Sequence, residues 1–144
     1  MNDEDFLSKM SPDTHQYLER IKDLYSAPFA RELGVEVESI SKDEVSLYLD
    51  IVPEHINSRG FVHGAVIYGL TDHTLAFMAN MEEEAVGQNV NIIYHRPLKE
   101  GRLYSKGRVI NISKSLKTYE INTYCNGKLI SSSVCTAFRL GDRK

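Results

Sequence analysis

The chain has 144 residues, 42% hydrophobic and 26% charged, the length and balance of one ordinary globular domain with a real core. No run approaches the roughly 18 consecutive apolar residues that a membrane-spanning helix needs. The acidic start Met1-Asn2-Asp3-Glu4-Asp5 lacks the basic-then-apolar order of a signal peptide, so the chain reads as cytoplasmic. Two cysteines, Cys125 and Cys135, make no disulfide framework and follow no metal-ligand spacing.

Net charge is −3, unevenly spread. Residues 1–90 hold 6 Lys/Arg against 17 Asp/Glu, a balance of −11, and residues 91–144 hold 11 against 3, a balance of +8. Such asymmetry suits a polyanionic partner for the basic half. The cations are spaced along strands without an aromatic ladder or zinc spacing, which fits a small phosphorylated ligand better than nucleic acid. The other reading is a surface that simply solvates its charges.

In chain order, Ser11-Pro12-Asp13 is a helix start, with a capping hydroxyl and proline at the first helical position. Tyr17, Leu18, Ile21, Leu24 and Tyr25 then form one apolar stripe, and Pro28 ends it. A short helix through Leu33 closes at Gly34. From Val35 the period changes to two: Val35, Val37 and Ile40, then Val45, Leu47, Leu49 and Ile51, predict two half-buried strands. His63 to Asn80 is apolar almost all round and predicts a buried helix. Met81 and Glu82-Glu83-Glu84 are expected to return the chain to solvent. Strands are predicted at 86–96, 102–112, 117–125 and 128–139, the last two joined by a hairpin at Asn126-Gly127. The expectation is an α+β fold of about six antiparallel strands wrapped around one long buried helix. An N-terminal helical segment covers 1–27 and a single domain covers 28–144.

Within the buried helix sits Asp72. A carboxylate there is costly unless paired, hydrogen-bonded or used, and burial tends to raise its pKa. Upstream, Asn57, Gly60 and Gly64 permit tight turns and close backbone approach. They lead into a helix start whose free amides suit a carbonyl that gains negative charge. Asp72 is equally compatible with a helix face that merely surfaces, or with a satisfied structural carboxylate.

Taken together, Asn57-x-x-Gly60-x-x-His63-Gly64 followed by Leu70-x-Asp72 resembles the signature of PaaI-like hotdog acyl-CoA thioesterases, with Asp72 nine positions after His63. The likeness runs from about Pro28-Phe29 to Phe138 and includes Asn91-Ile92-Ile93-Tyr94-His95-Arg96-Pro97 and Gly127-Lys128. The resemblance implies catalytic roles for three positions. Asp72 is general base or nucleophile, the Gly64 amide polarises the thioester carbonyl, and Asn57 positions water or the carboxylate's partner. It places Gly60, His63, Ala65, Gly87, Gln88, Lys114 and Lys117 around the substrate, His63 shaping the loop and Lys117 holding coenzyme A phosphate. Arg96 and Lys106 are further cations of that kind. Two departures stand out: Ala65 replaces the motif's second glycine, and no hydroxyl occupies Gly87-Gln88, where relatives place Ser or Thr. No cofactor is implied beyond the coenzyme A thioester as substrate. A non-catalytic acyl-CoA-binding module and an acyl-thioester dehydratase or hydratase share the fold as alternatives.

Assembly follows from distance. Gly64 and Asp72 lie about 12 Å apart on a straight helix at ~1.5 Å per residue, while one reacting group needs both within about 3 Å. Two chains on a two-fold axis solve this, each lending Asp72 to the other's Gly64. A homodimer is expected, possibly a dimer of dimers, with no nucleic acid and no membrane as partner. The five histidines show no four-residue pair with cysteine companions, and no metal is expected. Ser131-Ser132-Ser133 lacks a nucleophile-elbow pattern. Tyr68, Phe77, Tyr94 and Tyr119 either line an acyl tunnel or pack the core.

Overall fold

The computed structural model describes residues 1–141, so the last three positions of the expected 28–144 domain lie outside the described residues. The elements are α1 (Asp3–Lys9), a 3₁₀ turn (Pro12–Tyr17), α2 (Leu18–Tyr25), α3 (Pro28–Leu33), β1 (Glu36–Ile40), β2 (Glu44–Asp50), α4 (Gly64–Asn80), β3 (Glu84–Tyr94), β4 (Arg102–Ile112), β5 (Leu116–Cys125) and β6 (Lys128–Gly141).

The N-terminus differs from expectation in two places. Helix α1 was not legible because seven residues carry no periodic stripe. A capping box nucleates it: Asp5 N–H donates to Asn2 Oδ1 at 2.9 Å and Asn2 N–H donates to the Asp5 carboxylate at 3.1 Å. The expected helix start at Ser11 opens instead as a 3₁₀ turn. The Ser11 hydroxyl donates to the Asp13 carboxylate at 2.6 Å and caps no amide. Phe6, Met10 and Ile21 are nevertheless buried in the common core.

All six strands pair antiparallel in the order β1-β2-β4-β5-β6-β3. The chain leaves β2, crosses the sheet on α4 and returns at the far edge as β3. That topology leaves an eleven-residue strand paired on one side only. The sheet wraps α4 in the hotdog arrangement, with Leu70 and Phe77 meeting Leu47, Leu49, Leu103 and Ile121 in the core. Each such side chain, fully buried, contributes about 1.5–3 kcal/mol. Between β5 and β6, Asn126 (φ 51°) and Gly127 (φ 74°) both take the left-handed conformation that the hairpin needs.

Beyond α4 the stretch 81–84 returns to solvent only at Glu82. Met81 is buried. The Glu83 carboxylate accepts from Arg139 Nε at 2.7 Å and pairs with Lys117 Nζ at 3.0 Å. Lys117 Nζ also donates to the Ala79 carbonyl at 3.3 Å, satisfying an orphan acceptor of the last helical turn.

Candidate active site

The loop before α4 is built by Asn57. Its Oδ1 accepts from Arg59 N–H at 2.9 Å and Phe61 N–H at 3.1 Å, and its own N–H donates to the Phe61 carbonyl at 2.7 Å. Gly60 completes the turn at φ 85°, a conformation that side chains resist. His55, just upstream, is buried. Its Nδ1 accepts from Val52 N–H at 3.2 Å and its carbonyl accepts from His63 N–H at 2.9 Å. The loop therefore delivers His63 to the helix start with its own polar groups already occupied.

His63 caps nothing with its side chain. Val66 N–H donates to its carbonyl at 3.0 Å, while the Gly64 and Ala65 amides have no partner among the described residues. Two adjacent free N–H groups at the positive end of a 17-residue helix form a donor site for a developing oxyanion. The Tyr94 ring lies against Gly64, 3.3 Å from where a Cβ would stand. The Tyr94 hydroxyl donates to the Gly64 carbonyl at 3.1 Å.

Of the readings open for Asp72, the structure has the helix face that surfaces. Helix α4 is buried on nearly every side, yet Ala65, Tyr68 and Asp72 are exposed, with Gly64 and Ala76 half-buried between them. These positions recur every third or fourth residue, so they form one open stripe. The Asp72 carboxylate has no hydrogen-bond or ionic partner among the described residues. It stands near Cys135, whose thiol is pushed up by burial first and by the Asp72 charge as well.

Two clefts flank the helix start. One of about 660 Å³ is lined by Phe29, Leu33, His55, His63, Ala65 and Val66. The other, of about 330 Å³, is lined by Gly64, Ile67, Tyr94, His95, Arg96 and Pro97. Asn57, Gly60, His63, Gly64 and Ala65 are thus gathered at one end of α4, with Asp72 two turns away. Gly87 and Gln88 lie on the edge strand β3. The Thr136 hydroxyl, from the neighbouring strand β6, donates to Gln88 Oε1 at 2.9 Å, a hydroxyl that local sequence at Gly87 does not reveal. Lys114 sits exposed in the β4–β5 turn, while Lys117 is buried against Glu83. Among the described residues no three His, Cys, Asp or Glu side chains converge as a metal site needs. No helix is long and apolar enough to cross a membrane.

A family model described as Thioesterase superfamily matches residues 59–129, the span from the loop before α4 to the last hairpin. The chain is 30% identical to the TT0310 protein of Thermus thermophilus, whose crystal structure superposes with a TM-score of 0.76, covering 79% of this chain and 98% of that one. A mutant of the phenylacetic acid degradation protein PaaI, also from Thermus thermophilus, is 29% identical with a TM-score of 0.77 over 79% of this chain and all of that one. A Deinococcus radiodurans protein provisionally named an esterase is 28% identical over 94 residues. That match takes in 65% of this chain and 64% of that protein, just under two thirds of the relative's length. The chain belongs to the thioesterase superfamily, among its PaaI-like hotdog members.

Proposed function

We propose that the protein hydrolyses acyl-CoA thioesters to free acid and coenzyme A, in two sites each completed across a homodimer. One observation carries the reading. On a helix buried almost all round, the free Gly64 amide and the unpartnered Asp72 carboxylate share the single open stripe, about 12 Å apart at ~1.5 Å per residue. A second copy laid antiparallel along that stripe closes the gap and covers the exposed Tyr68. The one-sided edge strand β3 offers the backbone groups for continuing the sheet into that copy.

In such a site the thioester carbonyl oxygen accepts from the Gly64 N–H. The partner's Asp72 takes a proton from water as the oxygen adds to the acyl carbon. The tetrahedral oxyanion, held by the helix amide, then collapses and expels the coenzyme A thiolate, which takes from the partner's Asp72 the proton that water gave it and so restores the carboxylate. Direct attack by the carboxylate, followed by hydrolysis of the anhydride, uses the same two groups. Asn57 spends its oxygen on the loop, so its amide Nδ2 is the atom left to orient the water. His63, Gly60 and Ala65 shape the mouth, while Gly87, packed beside Leu75, and Gln88 belong to the Asp72 half of the helix and reach the mouth from the partner. Arg96, lining the cleft at Gly64, is assigned to the phosphates of coenzyme A together with the partner's Lys114, since within one chain Lys114 lies at the opposite end of the sheet. Lys117, neutralised by Glu83, holds the far end of the helix. We read the protein as cytoplasmic, with no cofactor beyond its substrate.

The test is thiol release from a panel of acyl-CoAs by wild type and Asp72→Asn. A fall of about a hundredfold or more supports the carboxylate's role. Equal release by both proteins overturns it.

A further inference from the structure

Two exposed tyrosines stand at the open stripe, unlike the aromatics that pack the core. Phe77 and Tyr119 are each 1% exposed and pack the core, whereas Tyr68 is 38% and Tyr94 46% exposed. Neither is scattered surface. Tyr68 lies one helical turn from Gly64 and one from Asp72 on the same face. Tyr94 reaches in from the end of β3 to press its ring on Gly64 and bond its carbonyl. The two are neighbours: the Tyr94 phenol is pushed up by desolvation first and by Tyr68 second.

Two-fold pairing fixes what lies between the sites. If Gly64 of one chain meets the partner's Asp72, the axis passes the position midway between 64 and 72, which is Tyr68. The two Tyr68 rings then face each other between the two sites, and each site has a Tyr94 ring beside its carbonyl-binding amide. On the acyl-CoA thioesterase reading, we propose that Tyr68 and Tyr94 are the specificity-determining residues of the acyl pocket. They form an end wall about one helical turn, ~5.4 Å, from the reacting carbonyl, so that short or compact acyl groups fit and long chains are refused. The wall is rigid and largely apolar, with few rotatable bonds to clear a path for added methylenes.

The experiment measures chain-length preference twice. Binding is read with non-hydrolysable thioether analogues of butanoyl-, octanoyl- and dodecanoyl-CoA, and kcat/KM with the matching thioesters. The proteins are wild type, Tyr68→Ala, Tyr94→Ala, Tyr68→Phe and Tyr94→Phe, each with its melting curve. The proposal expects wild type to favour butanoyl over dodecanoyl. Either alanine variant should move that ratio toward dodecanoyl by about tenfold or more, at least one methylene's worth of discrimination, while the phenylalanine variants leave it in place. A wild type that prefers dodecanoyl overturns the wall, as do alanine variants that fold but weaken every chain length equally. Ranked binding that shifts as expected, without any turnover, upholds the wall and sinks the hydrolase reading. Absence of binding by all three analogues overturns both.

Discussion

Gly64 and Asp72 stand on one face of one helix, two turns apart, and the Gly64 N–H and the Asp72 carboxylate are each without a partner among the described residues. A composite site built from this pair has a signature that no single-chain site shares. Gly64→Pro removes the amide N–H at the first helical position, where proline is tolerated. His63 already has the extended ψ of 137° that a following proline requires. Asp72→Asn removes the base. Each variant alone should be nearly inactive. In an exchanged mixture, the heterodimer holds one site with both groups intact, so activity should return to about a quarter of wild type under random pairing. A mixture as inactive as its components would place both groups of a site on one chain.

Asn57 separates a structural from a chemical duty atom by atom. Its oxygen accepts from the Arg59 and Phe61 amides, and Asp at this position keeps that acceptor. Asn57→Asp should therefore leave the melting temperature nearly unchanged while lowering kcat, because the donating Nδ2 is gone. Asn57→Ala strands two loop amides and should cost about 1–2 kcal/mol of stability as well as activity. Thermal melts beside kinetics read both effects. Equal kcat in wild type and Asn57→Asp would confine the residue to loop building.

The helix α4 was legible because a run from Val66 to Ala79 with almost no polar face can only be buried. The Asn126-Gly127 hairpin was legible because its turn chemistry is local. What was hidden depends on partners distant in sequence. The neighbours Leu70, Thr71, His73 and Thr74 leave a buried and a surfacing Asp72 both open, and it surfaces, since Gly64, Tyr68, Asp72 and Ala76 align on the one side that the sheet leaves open. Glu83 reads as solvent-bound in a run of three glutamates, but its partners Lys117 and Arg139 arrive from β5 and β6. The same pairing removes Lys117 from the free cations, and no spacing in the basic half announces that. The motif itself was fully readable. It places the loop and helix start correctly and leaves the second subunit to be inferred from distance.

The two cations once grouped together should now behave differently. Arg96 lines the cleft at Gly64, so Arg96→Ala should raise KM for acyl-CoA several-fold and flatten its rise with added salt, as losing a phosphate contact does. Lys117→Met should leave KM nearly unchanged and lower the melting temperature. Steady-state kinetics at two salt concentrations checks the pair. A KM effect confined to Lys117 would reverse the assignment.

Glu83 joins the end of α4 to the sheet, and its acid behaviour follows from its partners. Arg139 first, then Lys117, hold its carboxyl below the ordinary value of 4.5 against the opposing effect of burial. A carboxylate with a depressed pKa contributes stability that is present in full above its unfolded value and is lost as pH falls through its folded value. Near neutral pH, Glu83→Gln should therefore destabilise the protein by roughly 2–3 kcal/mol, because it leaves the Lys117 ammonium buried without a counter-charge. Lys117 has only 8% of its side chain exposed, so water cannot replace the lost partner. As pH drops below the ordinary glutamate range the wild type protonates Glu83 and loses the same interaction, and the two melting curves should converge. A gap between wild type and Glu83→Gln that stays constant from neutral pH down into acid would show that packing, and not the charge on Glu83, holds this end of the helix.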